Sequence, residues 1–391
     1  MDPLEANIEP ADFAPRLIAW QCTHGRHDLP WQRSRDPYRV WLSEIMLQQT
    51  QVSTVIPYYS RFLARFPHVH ALAAAAADDV MALWSGLGYY TRARNLHRCA
   101  QVVVQQYGGV FPQTVEQLAS LPGIGRSTAA AIAAFSFGVR SPILDGNVKR
   151  VLARIFGIDG FPGDKRVETA MWALAESLLP ASSDASAEAS SEATGEASND
   201  ASDNVRQHDG ALVEPIVAYT QGLMDLGATL CVRGRPACGR CPFAHACVAN
   251  LTGRQRELPA ARPKKPVPTR RTMMLVLRSA DQVLLEKRPP LGIWGGLWSL
   301  PEAPDADALA ARAAQLGGAP VVLAPLAPLA HTFTHFRLEI EPRLAQLVGE
   351  PRAVVRDAQA DTAWVRLDAI GDYGLPAPVR KLLDALDGTL L

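Results

Sequence analysis

The sequence predicts two dissimilar folded parts, an all-α body followed by an α+β domain. Three observations carry that reading. Apolar residues recur at helical spacing between residues 12 and 180, as in Val40, Trp41 and Ile45 and again in Val52, Val55 and Ile56, with breaks at Pro and Gly. A Pro- and base-rich stretch, GRQRELPAARPKKPVPTRR at 253–271, reads as a linker. Beyond it the pattern changes to short strand-like runs.

A length of 391 residues with 48% hydrophobic content supports two or three domains with real cores. The longest uncharged apolar runs fall short of the roughly 20 residues that span a bilayer. The opening stretch MDPLEANIEPADFAP carries four acids and no base, unlike a secretory or transit signal. A soluble, cytoplasmic protein is expected. Net charge is zero, but residues 181–210 hold seven acids and one base, which leaves the remainder at +6. A modestly basic body of this kind is compatible with a nucleic-acid partner without demonstrating one.

The expected organisation is a helical domain over 1–180 and 211–252, interrupted by an insert at 181–210. The linker at 253–271 and an α+β domain at 272–391 follow. The insert, rich in Ser, Ala and acid, lacks the apolar content to offset the entropy of ordering and is expected to be disordered. Helical pattern resumes over Val213–Leu230. In the last domain MMLVLRS and DQVLLEKRP form two strands around a turn at Ser279–Asp281. WSLPEA, FRLEI and TAWVRL add strands, and Ala306–Leu316 and Pro378–Leu386 are helices.

Four of the six cysteines lie in one run, Cys231-x6-Cys238-x2-Cys241-x5-Cys247. Thiolates so grouped suit a tetrahedral zinc or a four-thiolate iron–sulfur cluster. Structural zinc sites usually show two short knuckles and this run has one, so the larger cuboidal cluster fits better. Arg233, Arg235 and Arg240 put positive charge on the same loop, useful against DNA phosphates. Cys22 and Cys99 read as buried thiols. The cysteine spacing resembles the cluster loop of the endonuclease III superfamily of DNA glycosylases, which implies a [4Fe-4S] cofactor.

Leu121-Pro-Gly-Ile-Gly-Arg-Ser127 sits between two helical stretches, with Gly123 and Gly125 able to let backbone N–H groups approach a phosphate. It resembles the helix–hairpin–helix motif, which grips DNA backbone without reading sequence. In Pro142-Ile-Leu-Asp145-Gly-Asn-Val, either Asp145 or Asn147 could cap the following helix. The resemblance implies that Asp145 also faces the target sugar, stabilising the positive charge built as an N-glycosidic bond breaks. Superfamily members that also cut the strand use a hairpin lysine as a Schiff-base nucleophile. Here Ser127 takes that place, so a monofunctional enzyme is expected, with Lys149 as a source of incidental Schiff-base chemistry.

Asp36-Pro37 opens a helix on which Glu44 shares a face with Val40, Trp41, Leu47 and Gln48. A carboxyl on that apolar stripe is desolvated, which raises its pKa to about 6 or above. Leu29-Pro-Trp31, the run from Pro37 to Gln51 and Gly86-Leu-Gly-Tyr-Tyr-Thr-Arg-Ala-Arg-Asn95 together resemble the MutY-type adenine DNA glycosylase family. The resemblance covers the chain outside 181–210. It implies a cytoplasmic, DNA-associated monomer that removes adenine mispaired with 8-oxoguanine or guanine in double-stranded DNA. Glu44 would protonate adenine, and Trp31 and Gln221 would line the adenine pocket. Gln49, Thr50, Leu87 and Tyr89 would probe or wedge the lesion side.

The last domain resembles a Nudix fold, with Gly296 and Glu302 in the first two places of the Nudix signature. The Glu-Glu pair that would hold magnesium is missing, so no pyrophosphatase activity is expected. His331-Thr-Phe-Thr-His335 resembles the family's lesion-reading loop, implicating Thr334 and His335. Trp294 and Trp298 read as core. Two other classes stay open on sequence alone: a bifunctional endonuclease III-like glycosylase/lyase, and a non-catalytic iron–sulfur DNA-binding protein.

Overall fold

A computed structural model describes residues 8–181, 205–206, 212–263, 266–317, 322–347 and 362–387. The chain divides into two compact units, residues 1–49 with 102–263, and 50–101 with 264–391. These units differ from the division drawn from sequence, because helices 50–101 group with the C-terminal domain. No helix among the described residues is long and apolar enough to cross a membrane.

The first unit is helical. Its elements are α1 (Pro10–His24), a 3-10 turn at Pro30–Arg33 and α2 (Pro37–Leu47), then α7 (Val115–Ser120), α8 (Arg126–Phe137), α9 (Gly146–Ile155), α10 (Lys165–Ser177), α11 (Pro215–Asp225) and α12 (Val248–Leu251). Side-chain caps fix several starts: Asp36 accepts from the Arg39 N–H at 2.9 Å, and Asp164 caps α10 from below Arg166 at 2.9 Å. The Ala129–Ala134 face of α8 is wholly buried, and its small side chains let α8 pack against α2, α7 and α11. Phe13 of α1 stacks on Phe243 of the cysteine loop, centroids 4.6 Å apart, with both rings fully buried. Burying one such ring contributes roughly 1.5–3 kcal/mol, enough to anchor an otherwise irregular loop in the core.

Two expectations change here. The helix expected over Val213–Leu230 ends at Asp225 and continues as a π-helical turn, Leu226–Leu230. Gly227 explains the close packing of this turn: a Cβ there would meet the Asn147 side chain at 2.7 Å. The insert 181–210 lies mostly outside the described residues. Inside its bounds, however, β1 (Val205–Arg206) pairs antiparallel with β2 (Leu212–Val213), so those two residues are not disordered.

The second unit holds α3 (Val52–Arg65), α4 (Val69–Ala73), α5 (Ala77–Trp84) and most of α6 (Thr91–Tyr107), together with a mixed sheet. Its main path runs β10 (Thr362–Arg366), β4 (Gln282–Lys287), β3 (Thr269–Ser279), β9 (Arg337–Gln346), β7 (Ala324–Pro325). The short strands β5 (Trp298–Ser299), β6 (Glu302–Ala303) and β8 (Leu329–Thr332) pair with β4, β3 and β9. β3 and β9 run parallel from Thr269 opposite Arg337 to Arg278 opposite Gln346; the other pairs are antiparallel. α13 (Ala306–Gly317) packs Leu309 and Ala313 onto Leu275 and Leu277, and α14 (Ala377–Asp387) closes the chain. The strand β3 begins inside the expected linker, because Thr269–Arg271 find backbone partners on β9 and Arg271 pairs with Glu339 at 3.1 Å. Exposed basic residues hid this strand from an apolar-pattern reading.

Candidate active site

Glu44 and Asp145 face one another electrostatically within the first unit. Glu44 is pushed up to about 8, first by burial and then by the Asp145 carboxylate. Asp145 is the N-cap of α9: Oδ1 accepts from the Asn147 N–H at 3.0 Å and the Val148 N–H at 2.8 Å. Burial raises Asp145 too, while those two N–H groups, Arg150 and Lys149 pull it back down. The two carboxyls therefore have opposed surroundings. Burial and the Asp145 charge both favour the neutral form of Glu44, whereas four groups favour the charged form of Asp145. A difference of this kind is what a proton donor beside a charged stabiliser requires. Capping and proximity to Glu44 come from the same placement, which answers the choice between Asp145 and Asn147 as cap.

The hairpin adjoins this pair. Gly123 has φ +79°, and nothing lies within 4 Å of where a Gly125 Cβ would project, so backbone at the mouth of α8 is open to approach. Ser127 Oγ accepts the Leu144 N–H at 2.9 Å, tying the first turn of α8 to the residue before Asp145. Gln48 Nε2 reaches Thr128 Oγ1 at 3.4 Å, joining the end of the Glu44 helix to the same turn. Lys149 is held by Glu168 at 2.5 Å.

Trp31 and Gln221 are both buried, each 8% exposed. Trp31 rides on the 3-10 turn, where Gln32 bridges the Leu29 N–H (3.0 Å) and the Arg26 carbonyl (2.9 Å). Gln221 Nε2 donates to Asp225 Oδ1 at 2.9 Å, and Asp225 also accepts from the Arg26 backbone N–H (2.8 Å) and Nε (2.7 Å). One buried carboxylate thus secures Gln221 directly and, through Arg26 and Gln32, the turn carrying Trp31. Sequence reasoning missed Asp225; a lone acid within Met-Asp-Leu-Gly gives no sign of a partner 199 residues away that donates to it twice.

Cys231, Cys238, Cys241 and Cys247 line one cavity with Arg154, Leu226, Leu230 and Ala237. Among the described residues no three ligand-type side chains converge on a single-ion site. The Cys241 thiol is pushed up to about 12, first by burial and then by Cys231, Cys247 and Cys238, against the pull of a backbone hydrogen bond from Phe243. Two arginines of α9 hold the loop. Arg150 donates to the Cys231 and Gly227 carbonyls at 2.7 and 2.8 Å, and Arg154 to the Val232 carbonyl at 2.8 Å and Cys231 Sγ at 3.4 Å.

The residues expected at the lesion side differ in presentation. Tyr89 is exposed at 52% and Gln49 is exposed, whereas Leu87 is 6% exposed. Leu87 is packed inward and offers its carbonyl to Arg92 Nη2 at 3.3 Å, which also reaches the Gly88 carbonyl and Thr50 Oγ1. Among the described residues four non-glycine positions have left-handed φ: Gln49, Tyr89, Ala280 and Trp294. Such strain concentrates at functional sites, and two of the four are residues expected there. In the sheet domain, Phe333–Phe336 connects β8 to β9. The Phe333 N–H donates to the Phe336 carbonyl at 2.8 Å and their rings stack at 4.5 Å, which leaves Thr334 and His335 exposed at the apex. Glu302, the residue in the Nudix position, is paired with Arg288; Glu286 is paired with Arg312 of α13 at 2.5 Å.

Residues 42–177 match the family described as HhH-GPD superfamily base excision DNA repair protein, and residues 272–385 match the NUDIX domain. A curated adenine DNA glycosylase of Buchnera aphidicola subsp. Acyrthosiphon pisum is 33% identical over 95% of this chain and 97% of its own. That of Homo sapiens is 32% identical over 96% of this chain and 74% of its own. A solved thermostable thymine-DNA glycosylase is 25% identical with a TM-score of 0.48, over 62% of this chain and 97% of that one. The helical body, the Nudix-like domain, and the 33% and 32% identity to the Buchnera and human enzymes over 95% and 96% of this chain show that it belongs to the adenine DNA glycosylase family, whose members are hydrolases of N-glycosyl bonds.

Proposed function

We propose that this enzyme is a monofunctional glycosylase that excises adenine mispaired with 8-oxoguanine or guanine in duplex DNA. The observation that carries the reading is the opposed pair, Glu44 held protonated near neutral pH and Asp145 furnished with donors for its charged form. Adenine leaves poorly as an anion. Glu44 donates its proton to a ring nitrogen of the extruded base, so the leaving group departs neutral. As the glycosidic bond breaks, positive charge grows on the sugar, and Asp145 stabilises that oxocarbenium character until water adds. Trp31 and Gln221 line the adenine pocket, and Gly123, Gly125 and Ser127 hold the backbone. Gln49, Thr50 and Tyr89 act at the opposite base with Thr334 and His335. Ser127 supplies no amine, so strand scission is left to other enzymes.

The four cysteines are the ligands of a [4Fe-4S] cluster. The four sulfurs line one cavity, and thiolates are the donors that an iron–sulfur core takes. Bound there, it supplies a cross-link that folds the arginine-bearing loop. Purified protein should hold about four iron atoms per chain; zinc instead of iron would refute this assignment.

The test is a duplex with adenine opposite 8-oxoguanine, products resolved with and without alkali. Wild-type enzyme should give strand cleavage only after alkali. Glu44→Gln should reduce excision by about 100-fold or more. Full excision by Glu44→Gln removes the proton-donor role, and alkali-independent cleavage removes the monofunctional one.

A further inference from the structure

The Nudix-like domain carries one bulky residue in a backbone conformation it should avoid. Trp294 has φ +56° and is 7% exposed. A left-handed φ is a genuine outlier for a large side chain and persists only where the surroundings over-determine it. The constraints are visible. The loop from Arg288 to Leu297 is closed at its base by the Arg288 N–H on the Leu297 carbonyl at 2.8 Å. Within it, the Gly296 N–H reaches the Pro289 carbonyl at 3.1 Å. Arg94 Nη1 holds the Gly295 carbonyl at 2.5 Å. Arg288 Nε holds the Ile293 carbonyl at 3.1 Å, and its guanidinium lies 5.9 Å from the Trp294 ring centre.

The ring so fixed lies against the β8–β9 turn. Its centroid is 5.7 Å from His331 and 5.4 Å from Phe333, and Phe333 in turn stacks on Phe336. Those are the residues at the base of the turn whose apex exposes Thr334 and His335. Arg288 is itself oriented by Glu302. The carboxylate in the second place of the Nudix signature therefore meets a guanidinium here, and that guanidinium leads to the turn.

We propose that Trp294 is a positioning residue for reading the base opposite adenine, setting the aim of the Phe333–Phe336 turn, with the Glu302–Arg288 pair as its strut. Trp294 touches no substrate; it acts through the placement of Thr334 and His335. The inference rests on the lesion-reading role proposed above for that turn.

The test uses the full-length enzyme and duplexes with a non-cleavable adenine analogue opposite 8-oxoguanine or guanine. The reading is the ratio of the two dissociation constants. Trp294→Ala removes the ring and keeps the strain; Trp294→Gly removes the ring and relieves the strain, since glycine accepts positive φ. Trp294→Gly should thus be the more stable of the two by Tm. Both should lose roughly fivefold or more of the preference for 8-oxoguanine, while single-turnover excision from an A:G duplex at saturating enzyme is unchanged. Trp294→Phe should restore much of the preference. Adding Thr334→Ala to Trp294→Gly should lower the ratio no further than Thr334→Ala alone. A purely structural role would make the defect follow Tm, larger in Trp294→Ala. Wild-type ratios in both Trp294→Ala and Trp294→Gly would overturn the proposal alone. A wild-type enzyme without preference would overturn the lesion-reading role and this proposal with it.

Discussion

The Gln221 amide is oriented by Asp225. A carboxylate only accepts, so the 2.9 Å contact to Asp225 Oδ1 must come from the Gln221 amino group, which leaves the amide oxygen as the acceptor that the proposed adenine pocket would offer. Asp225 is wholly buried and pairs with Arg26 at 2.7 Å. Asparagine at this position must turn an amino group toward one of three donors. We expect Asp225→Asn to cost about 2–3 kcal/mol in urea denaturation, below the figure for a fully buried pair because Arg26 is partly exposed. A loss under about 0.5 kcal/mol would show that the network does not secure the pocket.

The raised Glu44 fixes the sign of two pH dependences. Its pKa moves from an ordinary 4.5 to about 8 in the folded protein, so the fold binds a proton that the unfolded chain releases between those values. Stability from this group is complete below about pH 4.5 and is lost as pH rises through about 8. Glu44→Gln has no such proton to lose. The variant should gain on wild type with rising pH, by roughly 1.4 kcal/mol per unit at most, a limit lowered by the partial exposure of Glu44. Single-turnover excision by wild type should fall in the same window, near pH 8. Parallel melting curves for the two proteins from pH 5 to 9 would contradict the raised pKa.

Lys149 lies close enough to Asp145 to lower its pKa, yet its ammonium is occupied by Glu168 at 2.5 Å. Schiff-base chemistry needs a neutral amine that can move. We expect borohydride trapping on abasic DNA to be weak in wild type, raised severalfold by Glu168→Gln and abolished by Lys149→Ala, with adenine excision retained in both. Equal trapping in Lys149→Ala would assign the adduct to another amine.

Much of this protein was legible in the chain. Cap and apolar period placed α2 and put Glu44 on its inward face, because helix geometry is local and a 3.6-residue repeat shows which side chains share a stripe. The run of four cysteines and the Gly123–Gly125 turn were equally plain, since each completes its pattern within a few residues. What depended on distant partners was not. β3 starts at Thr269, inside an apparent linker, because β9 offers it a parallel edge, and no apolar alternation marks strands whose pairing is made by backbone. Leu87 read as a presented side chain and is buried at 6% exposure, its carbonyl held by Arg92. Trp294 read as core; it is buried, but against the turn that displays Thr334 and His335. The sequence by itself determined which chemistries the chain carries, the two carboxyls, the four thiols and the absent hairpin lysine. Only the tertiary structure decided their ionisation and aim, because desolvation and hydrogen-bond partners arise when segments far apart in sequence are brought together.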